Sequence, residues 1–175
     1  MDTASTVRSN TLRNLFPKTP SRWVTRERPK IDRIACPWLV LRFVDPKAEF
    51  LYVPTDQVIS AGKAQGAEPY DIPGVRFSHH GERCSFDAFI EEFDLRDAAL
   101  DRVATIVRGA DTSRLDLAPQ SAGLYAISLG LSDLFQDDHE MLRHGLVVYD
   151  ALYAWAARLQ GETHNWPPAG FGKAQ

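Results

Sequence analysis

The sequence predicts a mixed fold, α/β or α+β, in which a small three-stranded sheet precedes a mainly helical C-terminal half. Three observations carry that expectation. Short apolar runs bounded by proline or glycine fall in the first half, at 23–25, 50–53 and 75–77, as strands do. Longer stretches with apolar residues three and four apart fill the second half from about Phe86 onward, the spacing of helices with one buried face. A chain of 175 residues that is 44% hydrophobic and 25% charged is long enough to bury a core without disulfide staples.

Residues 1–21 are rich in Ser, Thr, Asn and Arg, carry Pro17 and Pro20, and read as a flexible basic arm. The single domain then spans 22–168, followed by a tail at 169–175. Trp23, Val24 and Thr25 form the first strand. From Pro37 the apolar positions Trp38, Leu39, Leu41 and Val44 mark a helix, whose first turn suits a proline because that N–H would lack a partner anyway. This places Cys36 at or just before the helix start, and Pro46 ends the helix. The second strand lies within 48–54. Gly62, Gly66, Pro69, Pro73 and Gly74 then punctuate a linker with a helical turn near 56–63.

Alternation of Val75, Phe77 and His79 predicts the third strand, which stops where Gly81 lets the chain turn. Helices follow over 86–92, capped by Ser85, and over 97–109, with Gly109 as C-cap. After a loop at 114–120, a helix over 121–135 is lean in charge, and Leu124, Ile127, Leu131 and Leu134 give it a stripe that reads as central core. Asp137 and Asp138 open the last helix, where acids suit the positive end of the dipole. That helix runs to about Gln160 on a buried face of Leu142, Leu146, Tyr149, Leu152, Tyr153, Ala156 and Leu159.

A net charge of −3 gives no electrostatic case for a dedicated nucleic-acid binder. The first 33 positions nevertheless hold eight basic residues against three acidic ones. No apolar run resembles a secretory signal or a membrane span, so the expected location is cytoplasmic, with no membrane partner. Two cysteines argue against a disulfide framework, although they could form a redox pair.

Chemistry concentrates between His79 and Asp87. Imidazoles suit zinc, iron, copper or nickel, and a carboxylate completes a mixed site that also admits manganese. His79, His80 and Glu82 are therefore candidate ligands for a divalent transition metal (Zn, Fe or Mn). In a parallel sheet the loops leaving the first and third strands share one carboxyl edge, the usual place for ligands. That rule brings Asp32, Arg33 and Cys36 toward His79, His80, Glu82 and Cys84.

A second ligand cluster, Asp138 and His139, opens the last helix; His139 and Asp150, ~16 Å apart along its axis, cannot share an ion. Cys36 and Cys84, each near a helix start and an arginine, are candidate reactive thiols of lowered pKa. Arg33 and Arg108 could clasp a small oxyanion with their planar forks. Each residue also has a structural alternative: a packed histidine, an apolar cysteine, a solvated acid, or an Arg108 paired with Asp111 or Asp150. Asp150, set among Tyr149, Leu152 and Tyr153, calls for a buried partner such as an arginine.

The motifs Arg28-Pro-Lys-Ile-Asp-Arg-Ile-Ala-Cys-Pro-Trp38, Phe77-Ser-His-His-Gly-Glu82, Cys84-Ser-Phe-Asp87, Ile106-Val-Arg-Gly-Ala-Asp111, Leu117-Ala-Pro-Gln120, Ser128-Leu-Gly-Leu131 and Tyr149-Asp-Ala-Leu-Tyr153 occur in one order. Together they resemble the chromate-resistance protein family, over about Trp23 to Trp155. The resemblance implies a role in bacterial chromate resistance. Some members are chromate-responsive regulators of an efflux operon and carry an additional N-terminal domain, in whose place this chain has the basic arm. The leading expectation is a cytoplasmic protein that binds or senses chromate or a transition metal. The alternatives are a metal- or thiol-dependent, reductase-like enzyme acting on a small molecule, and a DNA-binding regulator. Self-association stays open.

Overall fold

Trp23, Val24 and Thr25 are fully buried in β1 (Arg22–Arg26), which explains an apolar run without alternation: a central strand covered on both faces has no wet side. β2 (Glu49–Val53) and β3 (Glu68–Pro69) pair with it in parallel, in the order β2-β1-β3. The structure, a computed structural model, describes residues 21–164. Apart from Ser21, the expected basic arm lies outside the described residues, and so does the tail.

The first crossover is α1 (Asp32–Leu39), continued by a π-helical turn over Val40–Val44. The second is α2 (Val58–Gln65). Four helices follow: α3 (Ser85–Glu92), α4 (Ala98–Asp111), α5 (Ser121–Leu134) and α6 (Asp138–Arg158). The expected small sheet with a helical C-terminal half is therefore what the chain forms. Val24 faces a minor cluster with Val58, Ala67 and Ile72, whereas Trp23 faces the main core shared by the helices. In that core Trp23 meets Phe77 and Phe89 with ring centroids 5.0 Å away in each case. Trp38 gathers Phe43, Phe86, Tyr149 and Tyr153 into a second aromatic group.

Five local expectations are corrected. The third strand is Glu68–Pro69, not 75–79; Phe77 makes only an isolated parallel bridge to Tyr70. Its alternation came from a bent loop that drives Phe77 into the aromatic core, 4.6 Å from Phe89. The linker expected to hold one helical turn holds α2 and that short strand.

The first helix begins at Asp32, with Pro37 inside it. Proline cannot donate to the carbonyl of Arg33 four residues back, but the Tyr52 hydroxyl donates to that oxygen at 3.0 Å. The interruption is thereby satisfied from β2, and Cys36 lies mid-helix.

Gly109 is not a stop, because α4 runs on to Asp111. It is instead a point of close approach: a Cβ there would sit 2.3 Å from Ser121 Oγ and 2.9 Å from Arg114 O. The same closeness inverts α5. Small Ser121, Ser128 and Ser132 are buried with Leu124, and Ser121 Oγ donates to Ile106 O at 3.0 Å. Ile127 and Leu134, expected in the core, are 49% and 74% exposed.

On α6, Asp150 has an arginine partner, but the pair is exposed rather than buried, at 42% and 43% for the two side chains. Arg42 donates twice to it, at 2.8 and 2.7 Å, and Trp38 Nε1 donates at 2.8 Å.

Replacement of Gly109 by Ala is expected to cost ~1–3 kcal/mol through overpacking against Ser121, measured by urea unfolding. Gly130→Ala, where an added Cβ would meet nothing within 4 Å, is expected to be neutral or to stabilise by up to ~1 kcal/mol.

Candidate functional site

The end of β1 delivers the chain to Ile31, whose φ of 36° turns it sharply into α1. Asp32 follows as the first helical residue and is 0% exposed. Its Oδ2 accepts the backbone N–H of Ser85 at 2.6 Å and, more weakly, that of Phe86 at 3.4 Å. A carboxylate from one helix thus neutralises the orphan donors of another. Its Oδ1 is buried with no hydrogen-bond partner, which is costly for a carboxylate away from water.

His79 closes over this acid from the loop before Gly81. Its Nε2 lies 3.0 Å from Asp111 Oδ2, 3.5 Å from Asp71 Oδ1 and 3.6 Å from Asp32 Oδ2. Asp71 leaves β3 with φ 53°, accepts from Ser85 Oγ at 2.8 Å and Arg26 at 2.8 Å, and lies 3.4 Å from Arg33 Nε. Asp111 is the last residue of α4, where a negative charge opposes the helix dipole, so its placement depends on a cation such as protonated His79. Donor atoms of Asp32, His79 and Asp111 all lie within 4.8 Å of one another.

Left-handed backbone gathers here too, at Ile31, Asp71, Gly81 and Ser113. Non-glycine residues hold such angles only where surroundings enforce them. A cleft of about 890 Å³ opens beside the cluster, with His79 and Asp111 in its wall.

The family described as "ChrB, C-terminal domain" matches residues 23–156. The chain belongs to that family. Protein ChrB of Cupriavidus metallidurans is 32% identical over 133 residues, which is 75% of this chain and 40% of that relative. The chain thus spans well under half of the relative's length. No solved structure matches the chain.

Within this ChrB-family domain, the candidate residues separate. Asp32, Arg33 and His79 do converge, as the shared sheet edge implied, even though the third strand lies elsewhere. His80 does not join them: it is exposed, and its Nε2 lies 3.2 Å from Arg76 O. Glu82 is an exposed residue of the cleft wall. Asp138 accepts the backbone N–H of Arg28 at 3.0 Å, and His139 Nε2 lies 2.8 Å from Phe50 O, so both serve the junction of α6 with the sheet.

Arg33 contacts Asp71 and donates to Glu27 O at 2.9 Å. Arg108 donates twice to Asp87, at 2.8 and 2.6 Å, and not to Asp111 or Asp150. Asp87 also accepts the backbone N–H of Cys84 at 3.0 Å, so the arginine locks the start of α3.

Both cysteines are free and 0% exposed. Burial, reinforced by Asp32, pushes both thiols up, the reverse of the lowered pKa expected at a helix start. Cys36 is inside α1 rather than at its N-terminus, and the nearest strong charges are acids.

The acids share protons unequally. Burial, then Asp111 and Asp71, hold Asp32 well above the usual carboxylate range. Burial alone would raise Asp71, but hydrogen bonds from His79, Ser85 and Arg26 outweigh it and lower its pKa. Contacts with Asp111 and then Asp71 raise His79 to about 10. Asp71 and Asp111 were not among the sequence-derived ligands. The signals were present: Asp71 follows the true third strand at the ligand edge, and Asp111 is an acid at a helix C-terminus.

An NMR titration of the metal-free protein is expected to give His79 a midpoint near 10, which Asp111→Asn moves toward the ordinary 6.5. Because its folded pKa is raised, the contribution of His79 to stability is fully present below pH 6.5, as long as its carboxylate partners stay ionised, and fades as pH rises through 10, an effect moderated by the partial exposure of the ring. A thiol reagent added to the native protein is expected to label neither cysteine until the chain unfolds. Labelling of Cys36 at the rate of a free thiol would contradict its burial.

Proposed function

We propose that this chain is a metal-binding domain of chromate resistance, holding a divalent transition-metal ion through Asp32, His79 and Asp111 and binding or sensing the ligand that reaches it. The observation that carries the reading is the fully buried Asp32, with one oxygen unpartnered, inside a cluster of three converging donors. Three carboxylates stand there with two guanidiniums, Arg26 and Arg33, and a protonated His79. A metal ion would take the place of the protons that His79 and Asp32 hold in the metal-free state.

The donor chemistry fits. One imidazole with carboxylates suits Mn²⁺, Fe²⁺ or Zn²⁺. Two donors each ~2.1 Å from a shared ion stand at most ~4.2 Å apart, so donors already within 4.8 Å need to close by roughly half an ångström or more, within the reach of side-chain adjustment.

The chromate connection rests on the family. Oxyanion binding by Arg33 and Arg108 gains less from the geometry, because both guanidiniums already carry acidic partners. A thiol-dependent reductase gains less still, because both thiols are buried and kept protonated. A metal-dependent enzyme would use the same cluster, and turnover with a defined reductant separates it from a sensor that binds stoichiometrically. The net charge of −3 offers no surplus for DNA.

Elemental analysis after equilibration with Mn²⁺ or Zn²⁺ is expected to find one ion per chain. Asp32→Asn and His79→Ala should each lose it, with His80→Ala unchanged and the helical circular-dichroism signal retained. Full occupancy in a folded Asp32→Asn/Asp111→Asn protein would remove the proposed site.

A further inference from the structure

The acidic cluster is sealed on one side and open on the other. Asp32 has no exposure, whereas the His79 side chain is 42% exposed and stands with Asp111 in the wall of the cleft. The remaining charged lining is Glu82, Arg83, Arg108 and Arg114, three cations against Glu82 and the cluster's own Asp111. Once Asp111 is engaged by a metal ion, positive charge prevails in the cleft.

We infer that the cleft admits an organic anion of small-molecule size, whose oxygen-donor head group, a carboxylate or a phosphate ester, meets the metal ion while Arg83 and Arg114 take up its remaining charge. This rests on the metal reading above. Size decides the ligand class. Sites of roughly 300–1,000 Å³ hold drug-sized molecules, and this cleft is about 890 Å³. A bare tetrahedral oxyanion, with four oxygens each about the ~30 Å³ of a water, leaves most of it empty.

The donor count agrees, since three protein ligands leave positions to fill around an ion such as Mn²⁺, which prefers an octahedral shell of oxygens. The arginines divide by mobility. Arg108 is fixed by its two bonds to Asp87, which is 2% exposed, and contributes field rather than donors. Arg83 and Arg114 are each 52% exposed and paired with exposed Glu91 and Asp116, at 3.1 and 3.0 Å. Solvated pairs of that kind hold their partners weakly, so both guanidiniums are free to turn toward an incoming anion.

The test is calorimetric, on the full chain with Mn²⁺ as the metal probe. Panels of simple carboxylates and phosphate esters, lactate and glycerol 3-phosphate among them, are titrated beside inorganic phosphate and sulfate, with and without Mn²⁺. At least one organic anion is expected to bind the Mn²⁺-loaded protein about tenfold or more tighter than either bare oxyanion, and tighter than the metal-free protein by a similar factor. Which panel responds identifies the head group. Arg83→Gln/Arg114→Gln should weaken that binding about tenfold, with Mn²⁺ stoichiometry read in the same samples.

Equal binding of bare and organic anions, organic binding indifferent to Mn²⁺, or no response from either panel while Mn²⁺ is bound each overturns the inference and leaves the metal site standing. Failure of Mn²⁺ itself to bind overturns both.

Discussion

A fully buried carboxylate that reaches across to cap a helix not its own sets the frame of this ChrB-family domain. Asp32 lies where β1 gives way to α1, and its Oδ2 holds the backbone N–H of Ser85 at the start of α3. The fifty-two residues 33–84, including β2, α2 and β3, are looped out between these two points. Ser85 in turn donates through its hydroxyl to Asp71 at the exit of β3. One acid therefore connects the sheet's first crossover to the helical half, while a serine connects both to the third strand. Moving Asp32 would disturb a helix terminus and the charge balance of His79 together.

The chemistry of the region follows from that burial. A carboxylate in a dry setting avoids charge unless something opposes it, and two further acids nearby make the charged form costlier still. The imidazole beside them is driven the opposite way. Rather than four independent side chains, the cluster is a single acid–base unit in which protonation of one member depends on the others. Its arginine neighbours are already engaged, Arg26 and Arg33 by Asp71 and Arg108 by Asp87. The charge left at the centre is met by the protonated imidazole of His79, which faces Asp111 and Asp71.

Much of this was legible in the residues. The existence and order of the first two strands and the mainly helical second half followed from apolar runs; the meeting of Asp32 with His79 was expected too, but by way of a strand at 75–79 that the chain does not form. The errors share a cause, which is that distant contacts overrode local pattern. Pro37 marked a helix start by local logic, yet Tyr52 from β2 supplies the donor that the proline withholds. Ile127 and Leu134 formed a convincing stripe, yet α5 turns Ser121, Ser128 and Ser132 inward beside Leu124, with Ser121 set against Gly109. Val75, Phe77 and His79 alternated like a strand because Phe77 points into the core and His79 toward the acids. Asp71 and Asp111 escaped notice because an aspartate in a loop or at a helix end is ordinary until its neighbours are known.

The Tyr52 contact also bears on how the chain reaches its native state. With a proline at its sixth position, α1 cannot complete its own ladder of backbone bonds, and the missing donor arrives only when β2 docks beside β1. The helix that carries Asp32 is thus incomplete in isolation, and its final stability is gained together with the strand that follows it in sequence. Strand, helix and strand therefore depend on one another for their full complement of backbone bonds, and the acid at the heart of the domain is carried by a helix that only the folded sheet completes.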